Sequence, residues 1–196
     1  MDSPFLAPIE KPRSFLWKML YSFTRRRFGK VITPIKVMAV RLPLAFGSFS
    51  GKIGQLDKKL QLPPETVMLI RERVAQINVC LFCIDIGRAH TIMSAMNQAK
   101  FDALPEYETS TLFDRKEKVL LDFVTILARD RKMEHELFEK LAQHYDERSI
   151  CEIVWIVATE FYYNISNIGL NIHSDMICDI AYKKMHQTAD NLVPNL

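Results

Sequence analysis

The chain contains 196 residues, of which 48% are hydrophobic and 25% charged, so its composition is that of an ordinary globular protein. Its length fits one large domain. Four cysteines are too few for a disulfide-stapled secreted scaffold, and a formal net charge of +3 is small for a nucleic-acid-binding domain. These values exclude the secreted mini-proteins and predict no nucleic-acid partner.

The N-terminal residues predict no secretory signal peptide, because they are acidic and interrupted by prolines at positions 4, 8 and 12. The most apolar stretch, residues 150–170, is long enough for a membrane span. It contains Glu152 and Glu160, however, and these charges favour a buried helix. We therefore expect a cytoplasmic protein without a membrane span, in a compartment where thiols remain reduced.

Helical periodicity dominates the chain beyond residue 13, and no segment alternates as a strand would. Residues 1–12 are predicted to form an extended N-terminal arm. Prolines and aspartates indicate where helices begin, and a glycine indicates where the first helix ends. The predicted helices cover residues 13–28, 33–40, a segment starting at 43, 64–77, 80–96, 114–128, 134–144, 146–170 and 174–185. We expect an all-α fold, a single-domain helical bundle over residues 13–196.

The charge is distributed unevenly along the chain. Residues 1–60 hold 12 basic and 3 acidic residues, whereas residues 61–196 hold 14 and 20. The first helix combines the basic Arg25, Arg26 and Arg27 with an apolar face. This face has two interpretations: it lies on an anionic membrane surface, or it packs on the body or on a neighbouring subunit.

The strongest chemical signal is the pair Cys80 and Cys83. Asn78 has a side chain typical of a helix N-cap, which predicts that both cysteines lie in the first turn of a helix. The helix N-terminus favours thiolate over thiol. Residues three apart on a helix bring their Cβ atoms to about 5–6 Å, close to the about 3.8 Å of a disulfide. The pair is therefore predicted to form a reversible disulfide.

Two other interpretations of the pair stay open. Cysteines in an apolar helix are often small core residues. A CxxC pair is also half of a zinc site, which needs two further ligands, and the sequence contains no second CxxC and no HxxxH motif. The isolated Cys151 and Cys178 lie on apolar helical faces and are predicted to be core residues.

Residues 73–85, RVAQINVCLFCID, resemble the active-site region of the carboxymuconolactone decarboxylase family, in its alkylhydroperoxidase D-like branch. Residues 29–37 and 160–167 resemble the N-terminal segment and the last long helix of such proteins, so the resemblance spans residues 29–172. It implies an all-helical fold that assembles as a homotrimer or homohexamer.

The resemblance also implies a chemistry. In the alkylhydroperoxidase branch a CxxC pair reduces hydroperoxides, is restored by an external dithiol such as dihydrolipoamide, and needs no metal or organic cofactor. The resemblance assigns Cys83 as the attacking thiol and Cys80 as the resolving one, whereas the helix-terminus argument alone favours Cys80 as the thiolate. The predicted function is a dithiol peroxidase in antioxidant defence.

Two positions depart from the family pattern. The pattern has a histidine four residues after the second cysteine, where this chain has Gly87, and a glutamate twelve residues before the first, where it has Met68. Both groups belong to the family's proton relay, so we expect slow peroxidase turnover. A histidine introduced at position 87 is expected to raise the rate.

Three residues are candidates to replace the relay. His90 lies seven residues after Cys83, about 10.5 Å along a helix, and would need water or a helix break to act. Glu160 is either an acid–base group or half of an ion pair with an arginine such as Arg88. Glu72 lies eight residues before the pair, about 12 Å away along a straight helix.

Two functions other than peroxide reduction are consistent with the sequence. One is a lactone decarboxylase-type enzyme without redox chemistry, which would not need the cysteine pair. The other is a non-catalytic oligomer that has lost activity with the relay. In each case the weakly charged helix over residues 150–170 favours a homo-oligomer.

Overall fold

The computed structural model describes residues 3–190, with side chains through residue 185. Within these residues the fold is all-α, as the sequence predicts, and contains no strand. Two π-helical segments, Ile35–Ala39 and Pro43–Ser48, and a 3-10 turn, Leu104–Glu106, supplement the α-helices. The α-helices are α1 (Phe15–Phe28), α2 (Phe49–Asp57), α3 (Pro64–Ile77), α4 (Leu81–Met93), α5 (Gln98–Asp102), α6 (Arg115–Asp130), α7 (His135–Ala142), α8 (Glu147–Ile168) and α9 (Ile177–Asp190).

The helix ends follow local chemistry that is visible in the sequence. Gly29 ends α1 with a φ of 80°, a conformation that glycine adopts without steric cost. Pro64 occupies the first turn of α3. Asp114 and Glu117 form a reciprocal capping box at the start of α6, and the Asp146 side chain caps α8. These predicted helix starts are confirmed.

The core consists of neighbouring apolar clusters around α3. In the first, α3 packs with α6, α7 and α8. The second surrounds α4 and α9 and includes both cysteines of the CxxC pair. The first cluster contains Leu62, Ile70, Val74, Leu120, Phe123, Val124, Ala128, Leu141, Tyr145, Ile150, Ile153, Ile156 and Val157. The second contains Val37, Ala75, Cys80, Phe82, Cys83, Ala89, Ile92, Ile172, Ile177 and Ala181. Helix α4 is thus fixed in the core.

The N-terminal arm lies along the body. The Phe5 N–H donates to the Leu170 carbonyl at 3.1 Å, the Ile9 N–H donates to the Lys36 carbonyl at 3.0 Å, and the Tyr21 hydroxyl donates to the Ile9 carbonyl at 2.6 Å. No residue from 3 to 12 is helical.

Helix α1 buries Tyr21 and Thr24, not its most apolar residues. Phe15 is 75% exposed, and Leu16, Met19 and Phe23 are exposed as well. The interpretation that this apolar face packs on the body is therefore wrong for these four side chains, whereas Trp17 and Leu20 of the same helix are half-buried. No described helix is both long enough and apolar enough to cross a membrane.

Candidate active site

The reversal between α3 and α4 places the cysteine pair. Asn78 closes the last turn of α3, and Val79 adopts a φ of 54°. The Val79 N–H donates to the Gln76 carbonyl at 3.1 Å and the Cys80 N–H to the Ala75 carbonyl at 3.0 Å. This is the bonding pattern of a Schellman motif, in which a left-handed residue ends a helix. A β-branched side chain at positive φ is strained, so Val79 stores backbone strain next to the pair.

Asn78 is therefore not the N-cap of α4, and that prediction is wrong. Because α3 continues through Ile77, Asn78 becomes its C-cap, and Cys80 is the N-cap of α4. Cys83 is the third residue of α4, within its first turn as predicted. Helix α4 ends at Met93, three residues before the predicted end.

Both thiols are free and buried just below the surface. Cys80 is 1% exposed and Cys83 is 6% exposed, while Val79 and Leu81 on either side of Cys80 are 68% and 47% exposed. The Asn167 side-chain amide donates to Cys83 Sγ at 3.4 Å. The pair thus lies in an apolar environment close to solvent.

Each of the two thiols shifts the pKa of the other. A hydrogen bond from Cys83 is the largest influence on Cys80 and lowers its pKa, against the opposing effect of burial. The same interaction with Cys80, followed by burial and by the charge of Glu160, raises the pKa of Cys83. The arrangement favours a thiolate at Cys80 and a proton on Cys83, as the helix-terminus argument does.

Glu160 lies in a polar network beside the pair. Arg71 donates to Glu160 Oε2 at 2.9 Å and to Asp57 Oδ2 at 2.6 Å, and the Asn164 amide donates to Glu160 Oε1 at 2.7 Å. The partner of Glu160 is therefore Arg71 and not Arg88. Since both carboxylate oxygens of Glu160 are bonded, the geometry supports the ion-pair interpretation of this residue.

Arg88, the partner suggested from sequence, is engaged elsewhere. It pairs with Asp102 and leaves its Nη1 buried without a hydrogen-bond partner in the described part of the chain.

His90 does not reach the cysteines directly. Helix α4 continues without a break through Gly87, so the rise of about 10.5 Å between Cys83 and His90 is retained. Burial, followed by the charges of Arg27 and Arg71, lowers the pKa of His90. A role of His90 through water stays a prediction.

Glu72, rather than a side chain on α4, fills the space beside Gly87. A Cβ atom built on Gly87 would lie 3.0 Å from Glu72 Cδ and would overlap Oε1. Burial raises the pKa of Glu72 to about 8, with Arg88 opposing the rise and Glu160 adding to it. A histidine at position 87 would therefore require the end of the Glu72 side chain to move, and the expectation that this substitution raises the rate stays a prediction.

The remaining predicted positions lie outside this arrangement. Met68 packs in a separate apolar cluster with Leu69 and Phe101. Cys151 is exposed, so its prediction as a core residue is wrong, and Cys178 is half-buried against the cluster that holds the pair. Among the side chains that the structure describes, no group of three or more histidines, cysteines and carboxylates is placed to bind a metal ion.

The chain is similar in sequence to a curated protein and in structure to several solved proteins. No family model matches the chain. The uncharacterized protein YnjA of Escherichia coli K12 is 26% identical over 162 residues, which cover 82% of this chain and 88% of YnjA. The debrominase Bmp8, as a cysteine-to-alanine variant in complex with 2,3,4-tribromopyrrole, superposes with a TM-score of 0.78 at 18% identity, covering 94% of this chain and 98% of that one.

A peroxidase-related protein of Ralstonia eutropha JMP134, an alkylhydroperoxidase AhpD core, superposes with a TM-score of 0.75 at 15% identity. The superposition covers 91% of this chain and 96% of that protein. The chain therefore has the alkylhydroperoxidase D-like fold that its sequence resembles.

Proposed function

We propose that this protein is a dithiol oxidoreductase that reduces hydroperoxides through Cys80 and Cys83. The observation that carries the proposal is the thiol pair at the start of α4, in which Cys83 lowers the pKa of Cys80. A thiolate next to a protonated thiol is the starting state for a nucleophilic attack followed by disulfide formation. The fold shared with the peroxidase-related protein of Ralstonia eutropha supports this choice of substrate class.

The proposed cycle balances without a metal or an organic cofactor. The Cys80 thiolate attacks the outer oxygen of the hydroperoxide, the O–O bond breaks, and the alkoxide takes the proton of Cys83. The Cys83 thiolate then attacks the sulfenic acid on Cys80, forming the S–S bond and releasing hydroxide. An external dithiol of the dihydrolipoamide class returns two electrons and two protons. Such a cycle needs a reducing compartment, so a cytoplasmic location belongs to the proposal.

The first prediction is that one equivalent of hydroperoxide removes two hydrogens from the protein. Intact-mass measurement after mild peroxide treatment checks this, in a Cys151→Ser background because Cys151 is exposed and would form intermolecular disulfides. Cys80→Ser and Cys83→Ser are expected to abolish the loss of two hydrogens, and Cys83→Ser is expected to retain one added oxygen on Cys80. Reduction by dihydrolipoamide should restore both thiols.

Cys178→Ser serves as the matched control and should still lose two hydrogens. Cys178 is half-buried against the apolar cluster that contains Cys80 and Cys83, but it is not part of the pair. Full alkylation of both Cys80 and Cys83 after peroxide would contradict the proposal and favour a non-catalytic protein. If 2,3,4-tribromopyrrole oxidised the pair and hydroperoxide did not, the substrate class would be wrong and the dithiol chemistry would stand.

We further propose that the protein is a homotrimer or homohexamer. Phe15, Leu16, Met19 and Phe23 on α1 and Ile165 and Ile168 on α8 are exposed in the isolated chain. Apolar area of this kind is typical of association surfaces. Multi-angle light scattering is expected to give three or six times the 22.8 kDa chain mass. A particle of chain mass at micromolar concentration would contradict this prediction.

A further inference from the structure

Glu72 differs from every other buried carboxylate among the described side chains. Asp85, Glu152, Glu160 and Asp175 each accept hydrogen bonds from backbone N–H groups or from arginine, asparagine or threonine side chains. Glu72 is 1% exposed, and neither of its carboxyl oxygens has a hydrogen-bond partner within the described residues. A buried carboxyl without a structural partner is costly, and such groups are frequent at functional sites.

The position of this carboxyl points to the cysteine pair. It occupies the space that a side chain at position 87 would take. Position 87 is four residues after Cys83 on an unbroken helix, so the two positions share a face and their Cβ sites are about 5–6 Å apart. Glu72 thus reaches, from α3, the place next to Cys83 where the family pattern has a histidine on α4. Transfer of a proton through one water fits this separation.

We infer that the Glu72 carboxyl supplies the proton that disulfide formation between Cys80 and Cys83 consumes, an inference that rests on the proposed dithiol function. When the Cys83 thiolate attacks the oxidised sulfur of Cys80, hydroxide leaves and takes the Glu72 proton, giving water and a carboxylate. Reduction of the disulfide by an external dithiol delivers two protons. One of these returns to Cys83 and the other to Glu72, so the cycle closes without a net change.

The charges around Glu72 agree with a proton donor at neutral pH. Arg88 on α4 favours the carboxylate, whereas burial and Glu160 on α8 favour the protonated acid, and burial dominates. Cys178 on α9 also lies within electrostatic reach of Glu72. With a pKa of about 8, Glu72 is protonated at pH 7 and loses this proton as the pH rises through 8.

The test uses Glu72→Gln, because glutamine keeps the shape of the protonated acid but cannot release a proton. It measures two steps separately: the attack of Cys80 on the peroxide and the formation of the disulfide with Cys83. After a single addition of hydrogen peroxide, the Cys80 sulfenic acid is expected to form at the parent rate. Its conversion to the disulfide, followed by intact mass and dimedone trapping, is expected to slow about 100-fold, within the range typical of a positioned acid. In the parent, closure should slow above pH 8; in Glu72→Gln it should not show this dependence.

Glu108→Gln is the matched control, because Glu108 is exposed on a loop away from the pair and should leave both steps unchanged. A second oxidant, diamide, closes thiol pairs through an adduct whose nitrogen leaving group also needs a proton. If hydrogen peroxide does not oxidise the parent but diamide closes the pair with the same dependence on Glu72, the peroxidase proposal fails and this inference stands. Parent-like closure rates and pH profiles for Glu72→Gln with both oxidants would overturn it.

A double substitution tests the location of the proton donor independently. Glu72→Ala removes the carboxyl and opens the space beside Gly87, so adding Gly87→His restores an acid–base group from α4. Closure in the double variant is expected to be at least 10-fold faster than in Glu72→Ala alone. A double variant that folds, by circular dichroism, but is no faster than Glu72→Ala would contradict a proton donor at this place.

Discussion

Replacing Glu72 with glutamine is expected to raise the free energy of unfolding at pH 9 by as much as about 5 kcal/mol, and to change it little at pH 4. Burial raises the Glu72 pKa from 4.5 to about 8, and each pKa unit corresponds to about 1.4 kcal/mol. Between pH 4.5 and about pH 8 the folded protein holds a proton on Glu72 that the unfolded chain has released. The free energy of unfolding therefore falls as the pH rises through this window. Glutamine cannot ionise and therefore removes this fall.

Urea denaturation of the parent and Glu72→Gln at several pH values from 4 to 9 measures this effect. The difference between the two proteins should grow from near zero to its full size by about pH 9. Glu108→Gln, at an exposed site, should follow the parent at each pH. If the stability curves of Glu72→Gln and the parent ran parallel, Glu72 would not be a buried titrating acid. A variant that is more stable but closes its disulfide more slowly would separate function from folding.

Most of the fold could be predicted from the sequence because its signals are local. A glycine at the end of α1, a proline in the first turn of α3, and Asp114 and Asp146 before α6 and α8 each act within one turn of their own position. The CxxC pair is also local, since three residues of spacing place both thiols near the start of α4.

The surroundings of the pair could not be predicted in the same way, because they depend on how neighbouring helices pack. Counting along a straight helix puts Glu72 about 12 Å from Cys80. The chain instead reverses at Val79, so α3 and α4 lie side by side and Glu72 meets Gly87. A glycine in the middle of α4 was the available signal, since interior glycines often mark close approach of another group.

Periodicity also identifies an apolar helical face without showing what covers it. Cys151 lies on α8 next to the buried Ile150 and Glu152 but is itself exposed. Phe15, Met19 and Phe23 on α1 follow helical spacing yet remain exposed in the isolated chain. Both cases need the tertiary arrangement, or an assembly, to decide which side of a helix is buried.

Asp85 is a further residue whose role depends on packing, and its removal is expected to lower the free energy of unfolding by about 3–5 kcal/mol. Its buried carboxylate on α4 accepts the backbone N–H groups of Asp175 at 2.9 Å, Ile177 at 3.0 Å and Cys178 at 2.8 Å. Two of these groups belong to the first turn of α9, which has no intrahelical acceptor for them. Asp85→Ala leaves three N–H groups without their charged acceptor, and a hydrogen bond to a charged group contributes about 1.5–3 kcal/mol. The expected loss of about 3–5 kcal/mol is smaller than the sum of three such bonds, because water admitted by the smaller side chain replaces part of them.

Chemical denaturation and amide hydrogen exchange measure this loss and locate it. Exchange should accelerate most at Ile177 and Cys178, because α9 loses the carboxylate that holds its first turn against α4. Asp179→Ala is the matched control: Asp179 lies in the same turn but is exposed, so its removal should cost only about 0.3–1 kcal/mol through the helix dipole. Equal losses for the two variants would mean that Asp85 contributes only charge, and that apolar packing alone holds α9 against the helix that carries the cysteine pair.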